Sequence, residues 1–93
     1  MADISIKIAH NFTQPVAKQR AENALKDRQY SEYRTDMWCK PIGNMLLCFD
    51  LEKMELYWLN GNKVGGHTKF RSNISRDKMV QAIKEYEHQL LLI

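Results

Sequence analysis

The side chains best suited to binding chemistry lie in residues 63–71, which read KVGGHTKFR. Successive side chains of an extended strand point to opposite faces. Alternation therefore predicts a row of cationic side chains on one face of a strand. Its members are Lys63, His67, Lys69 and Arg71. Such a row can bind phosphates, bind an acidic protein surface, or keep an exposed edge strand soluble.

An aromatic residue is expected beside this row. A two-residue type I′ turn at Asn60–Gly61 would pair Trp58 with Lys63 across a hairpin. An aromatic ring next to cations stacks bases and holds phosphates, which favours a nucleic-acid ligand. The same register places Leu56 and Met54 on that face, and a mixed apolar and cationic surface is more typical of a protein interface.

Residues 63–78 carry a net charge of +4, more than the +3 of the whole chain. This basic stretch runs from the last predicted strand into the start of the last predicted helix, so the nucleic-acid alternative would also use that helix start. The candidate binding residues are therefore Trp58, Lys63, His67, Lys69, Arg71, Arg76 and Lys78.

Motifs for catalysis and for metal binding are missing from the sequence. Residues 61–68 come within one residue of a phosphate-binding loop, but they follow a hairpin turn and continue into a strand, where such a loop does not work. The sequence contains no Gly-x-Ser-x-Gly elbow, no HExxH and no CxxC. We expect a protein that binds rather than catalyses, without catalytic residues, metal or cofactor.

The elements that must position these residues follow from hydrophobic periodicity and turn chemistry. The pattern predicts an α+β fold, with an antiparallel sheet of four to five strands and two helices packed on one face. The order is β-α-β-β-β-(β)-α. Strands are expected at residues 3–9, 33–40, 45–50, 54–59 and 62–71, and helices at 15–28 and 75–91.

Local signals support the two helices and the centre of the sheet. Pro15 suits the first turn of a helix, where its missing N–H has no role. Ser75 is a good N-cap, and Ile74 is placed to pack onto Met79. The continuously apolar segment 45–49 predicts a central strand buried on both faces.

The chain of 93 residues predicts a single domain, residues 1–93, located in the cytoplasm. It contains no apolar run of membrane-spanning length and no secretion signal, so no membrane partner is expected. Cys39 and Cys48 are expected to be buried, reduced and diagonally offset across a hairpin at Ile42–Gly43, an awkward separation for a disulfide. The apolar end at 90–93 leaves a homodimer as an open alternative.

The order of helix, three strands and helix from Pro15 onward is similar in outline to the double-stranded RNA-binding domain. The last three strands and helix also resemble the arm-type DNA-binding domains of phage integrases, which read a groove with their sheet. These resemblances imply a nucleic-acid partner. They carry over no contact residues, because Ser75–Met79 replaces the basic Lys-Lys-x-Ala-Lys helix start of the RNA-binding domain.

The composition and the basic row together favour a small accessory or inhibitory subunit that docks on a larger protein. A nucleic-acid-binding module, for RNA or DNA, is the alternative. The two hypotheses differ in salt dependence, because binding to phosphates weakens steeply with salt and an apolar interface does not.

Overall fold

The structure, a computed structural model, describes residues 15–92. The predicted strand at residues 3–9 lies outside this range. The described elements are α1 (Pro15–Asp27), β1 (Ser31–Arg34), β2 (Met37–Ile42), β3 (Met45–Asp50), β4 (Glu55–Asn60), β5 (Lys63–Lys69) and α2 (Arg76–Leu91). The strands form one antiparallel sheet in the order β1-β2-β3-β4-β5. This confirms the predicted α+β class.

The two helices begin where their capping residues predict. Pro15 is the first residue of α1, and the Ser75 hydroxyl accepts a hydrogen bond from the backbone N–H of Lys78 at 3.2 Å. Alanines on the buried stripe of α1 let this helix approach its neighbours closely. The buried residues of α1 are Ala17, Ala21, Ala24 and Leu25.

Arg20 of α1 and Arg28, which directly follows α1, contact the two ends of α2. The Arg20 guanidinium donates to the Ile74 carbonyl oxygen at 2.9 Å, just before α2 begins. Arg28 pairs with Glu87 in the last turns of α2 at 2.5 Å. These contacts hold the two helices against each other.

Alternation divides the sheet into two faces. The helix face supplies the core, whose fully buried side chains include Leu47, Phe49 and Leu56. The other side, which we call the open face, carries the alternate residues. These are Met37, Cys39, Pro41, Leu46, Cys48, Asp50, Glu55, Tyr57 and Leu59. Within residues 15–92, no helix or strand packs against the open face.

One predicted strand is divided in two. Residues 33–40 were expected to be continuous, but a turn at Thr35–Asp36 separates β1 from β2. Asp36 adopts φ +59°, a left-handed conformation that aspartate tolerates better than most residues. Its carboxylate accepts a hydrogen bond from the Lys18 ammonium at 3.0 Å, which ties the turn to α1.

The division of that strand places five strands between the helices, whereas the RNA-binding domain has three. The outline similarity therefore does not extend to the sheet. Among the described helices, neither is long and apolar enough to cross a membrane.

Candidate functional site

The turn of the β4–β5 hairpin lies one residue further along the chain than predicted, which shifts the pairing of the two strands by two residues. Its turn residues are Gly61 and Asn62, and Asn60 pairs with Lys63. Gly61 has φ +62°, whereas Asn62 is not among the residues of positive φ. A type II′ turn needs positive φ only at its first central position, which suits Gly61 followed by asparagine. The predicted pairing of Trp58 with Lys63 is therefore wrong.

A bulge then divides the predicted cationic row. Trp58 pairs with Gly65, and Leu56 pairs with Thr68. Tyr57 on β4 therefore lies opposite two residues of β5, Gly66 and His67. Gly66 has φ +68°, the conformation of the first residue of a glycine bulge.

The extra residue of the bulge places the cations that follow it on the opposite face from Lys63. Lys63 pairs with Asn60 on the helix side, at the hairpin tip. Lys69 pairs with Glu55, and His67 stacks on Tyr57, so both lie on the open face. The four predicted cations therefore do not form one row.

Trp58 lies on the helix face, beneath the two glycines of β5. A Cβ atom built on Gly65 would lie 2.5 Å from the Trp58 ring, and one built on Gly66 would also lie 2.5 Å from it. The half-buried ring packs against the hydrophobic core. Trp58 is therefore a packing residue, and its face is not presented to a ligand beside Lys69 and His67.

His67 belongs to a small polar cluster at the edge of the open face. Its ring stacks on Tyr57 with centroids 5.4 Å apart and an interplanar angle of 24°. Its Nδ1 lies 3.3 Å from Glu55 Oε1. The histidine thus joins the aromatic ring of β4 to a carboxylate and makes this edge amphipathic.

A second surface, which we call the basic cleft, lies between the end of β5 and the start of α2. It has a volume of about 570 Å³ and is bordered by Lys69, Arg71 and Lys78 above an apolar floor of Phe70 and Ile74. Within residues 15–92 none of the three cations forms an ion pair. Three of the predicted binding residues therefore come together here.

The basic cleft is held in place from α1. Arg20 donates to the carbonyl oxygens of Ser72 and Ile74 at 3.3 and 2.9 Å, which fixes the loop between β5 and α2. The positive end of the α2 dipole adds to the side-chain charges at this point. Arg76 does not contribute, because its guanidinium pairs with Asp27 and Asp77.

The open face has an apolar centre that the predicted site did not include. Met37, Leu46, Tyr57 and Leu59 are half-buried there, and Val64 on β5 is 53% exposed. Burial, together with the nearby Cys48, raises the pKa of Tyr57. Alternation in residues 55–59 would have identified Tyr57 and Leu59 as partners on one face, once the helix-facing side was known.

The two cysteines also lie on the open face, and their predicted offset is wrong. Cys39 and Cys48 pair directly, with their Sγ atoms 3.5 Å apart, because the hairpin turn comprises Gly43–Asn44. Both are free thiols. Cys48 is buried as expected, whereas Cys39 is half-buried. Among the described side chains, no group of three or more His, Cys, Asp or Glu residues converges as a metal site.

Comparison of the chain with protein-family models, curated proteins and solved structures finds no match. The function is therefore inferred from the open face and the basic cleft.

Proposed function

We propose that this chain is a binding protein that docks on a larger protein through its open face, as an accessory or inhibitory subunit. The apolar centre of that face is the observation that carries the proposal. Met37, Leu46 and Tyr57 come from three different strands and form one continuous surface. Contiguous apolar surface of this kind commonly marks a protein interaction site.

The edges of the open face indicate the charge of the partner. Arg34 lies at the β1 edge, opposite Met37 of β2, and Lys69 lies at the β5 edge. The side chains of Arg34 and Lys69 are exposed. Neither forms an ion pair within residues 15–92. A partner with an apolar centre and an acidic rim would complement this arrangement, because interfaces place apolar contacts centrally and charges at the rim.

Site-specific photo-cross-linking tests this proposal. A photoreactive amino acid at position 59 should capture one partner in cells, and the same amino acid at exposed position 84 on α2 should not. The captured protein is then purified and its affinity for this chain measured by calorimetry. We expect Val64→Asp to weaken binding by about tenfold or more, since it places a negative charge on the interface, while Lys84→Asp leaves affinity unchanged.

Three outcomes of this experiment would overturn the proposal. A cross-link from position 59 to residues 1–14 of the same chain would assign the face to its own amino-terminal segment. A cross-link to a second copy of this chain would show that the open face forms a homodimer interface. Equal affinity of the Val64→Asp and Lys84→Asp proteins for the purified partner would place the interface elsewhere.

Nucleic-acid binding is the second candidate, and the basic cleft is the observation that favours it. One cleft is bordered by Lys69, Arg71 and Lys78. None of these three cations forms an ion pair among the described residues, so all three are available to contact phosphates. Trp58 has no stacking role in this candidate, because its ring packs beneath Gly65.

Fluorescence anisotropy of labelled single-stranded and duplex oligonucleotides across a salt series tests this candidate. Three phosphate contacts predict a slope of log affinity against log salt between about −2 and −3. The double variant Lys69→Glu and Arg71→Glu should abolish binding, and Lys84→Glu should retain it. Absence of binding by the wild-type protein at low salt would remove this candidate.

A further inference from the structure

The strongest further observation is the pair of cysteines at the centre of the open face. Cys39 on β2 and Cys48 on β3 are direct cross-strand neighbours with Sγ atoms 3.5 Å apart. Both are free thiols. A disulfide bond is about 2.0 Å long, so each sulfur need move by less than about 1 Å to form one.

The position of the pair in the ladder favours this bond. Antiparallel ladders alternate hydrogen-bonded with non-hydrogen-bonded pairs. Pro41 has no N–H and pairs with Leu46, so that pair is of the non-hydrogen-bonded type. Cys39 and Cys48 lie two residues further along each strand and are therefore of the same type. The α-carbons of such pairs are about 4.5 Å apart, within the range that disulfides span.

We propose that Cys39 and Cys48 are a reversible oxidation site, which hydroperoxides close into a cross-strand disulfide. The proposal is independent of the docking partner, because it concerns a modification of this chain alone. It adds a chemical reactivity to a protein whose other surfaces are suited to binding.

The different burial of the two thiols sets the order of the reaction. Cys39 is half-buried and meets the oxidant first. Cys48 is 2% exposed, and burial, with the Cys39 thiol as a further cause, raises its pKa to about 12. Cys48 therefore stays protonated and acts second, as the resolving thiol.

The reaction balances with one hydroperoxide as the two-electron oxidant. The thiolate of Cys39 attacks a peroxide oxygen, the O–O bond breaks, and hydroxide leaves as Cys39 becomes a sulfenic acid. The sulfur of Cys48 then attacks the sulfur of Cys39 and the S–O bond breaks. The departing hydroxyl takes the thiol proton of Cys48 as water. With hydrogen peroxide, two thiols and one peroxide give one disulfide and two waters, and a dithiol reverses the step.

Mass spectrometry of the reduced full chain treated with hydrogen peroxide tests this proposal. We expect the monomer to lose two hydrogen atoms and both free thiols, and dithiothreitol to restore them. Cleavage after the methionines separates residues 38–45 from residues 46–54, so the two fragments should remain joined until reduction. Cys39→Ser and Cys48→Ser are the matched controls, and neither should form the internal bond.

A comparison of the folded and unfolded chain separates the effect of the geometry from ordinary thiol oxidation. In a glutathione redox buffer, we expect the equilibrium constant for forming the Cys39–Cys48 disulfide to be at least about tenfold larger for the folded protein than for the chain in urea. The reason is that β2 and β3 hold the two sulfurs together. Equal or weaker closure in the folded protein would overturn the proposal. Oxidation that yields only linked dimers or glutathione adducts would also overturn it.

Discussion

The phenol of Tyr86 on α2 donates a hydrogen bond to the carbonyl oxygen of Gly66 at 2.7 Å. This contact joins the last helix to the bulge that sets the faces of β5. Burial raises the pKa of Tyr86 to about 12, so the phenol is protonated and able to donate at neutral pH. The position of Lys69 between the open face and the basic cleft thus depends on a contact with α2.

Replacement of Gly66 should disturb this junction strongly. A Cβ at this position would lie 2.3 Å from Tyr86 Oη, and the residue has φ +68°. We expect Gly66→Ala to lower the free energy of unfolding by about 2 kcal/mol or more, because crowding adds to the cost of a left-handed backbone. Urea denaturation followed by circular dichroism measures the change.

Gly43→Ala is the matched control for this variant. Gly43 also has positive φ, but a Cβ there would meet nothing within 4 Å. It should cost about 1 kcal/mol, from the backbone conformation alone. Equal losses for the two variants would contradict the close packing described for Gly66.

Trp58 provides a test of packing against ligand stacking. Because its ring packs between the core and Gly65, we expect Trp58→Ala to lower the free energy of unfolding by about 2 to 4 kcal/mol. Tyr33→Ala is the aromatic control, since Tyr33 is 74% exposed, and it should change stability by less than about 0.5 kcal/mol. A Trp58→Ala protein of unchanged stability, measured by urea denaturation, would return Trp58 to the candidate ligand site.

Most of the fold follows from local signals in the sequence. Pro15 and Ser75 predict the starts of both helices, and alternating or apolar runs predict the strands from residue 37 onward. These signals depend on interactions within a few residues of each other. The break at Asp36 was not predicted, because Lys18, which lies 18 residues away, supports the turn.

The site was harder to predict because it depends on register. A shift of one residue in the β4–β5 turn separates Trp58 from Lys63, and the bulge at Gly66 separates Lys63 from Lys69. The one-residue bulge moves the side chains that follow it to the other face of β5, so that Lys69 and Lys63 lie on opposite faces. The grouping of Lys69 and Lys78 around one cleft is a tertiary arrangement that strand alternation does not contain.

The ion pair between Lys18 and Asp36 should make stability depend on pH in the acid range. The hydrogen bond from the Lys18 ammonium lowers the pKa of the Asp36 carboxyl. A lowered folded-state pKa stabilises the protein above the unfolded value of about 4, and this contribution is lost as the pH falls through the folded-state value. We therefore expect Asp36→Asn to lose less stability than the wild type between pH 5 and pH 2, with a difference of up to about 1 kcal/mol.

Asparagine is the suitable replacement because it removes the charge and still tolerates the φ of +59° at this position. Asp77→Asn is the control, since the Asp77 side chain is 91% exposed. Urea denaturation at several pH values measures both variants. Identical acid sensitivity of Asp36→Asn and the wild type would show that the ion pair contributes nothing to stability.

Glu87 should be the most important charged residue for stability among those described. Its side chain is only 5% exposed, and its two carboxylate oxygens pair with Arg28 at 2.5 Å and Lys40 at 3.3 Å. Glu87→Gln keeps the volume but leaves two cations without their shared carboxylate. We expect a loss of about 2 to 4 kcal/mol in the free energy of unfolding, because breaking a buried ion pair exposes the remaining charges to an unfavourable environment.

Glu85→Gln on the exposed side of the same helix is the control, and it should change stability by less than about 0.5 kcal/mol. A second measurement uses Tyr30, whose pKa is raised by burial and then by the charge of Glu87. Since Glu87→Gln removes that charge, ultraviolet titration of the phenols should show Tyr30 ionising at lower pH than in the wild type. A stable Glu87→Gln protein with an unchanged Tyr30 titration would mean that this carboxylate does not join α2 to the end of α1.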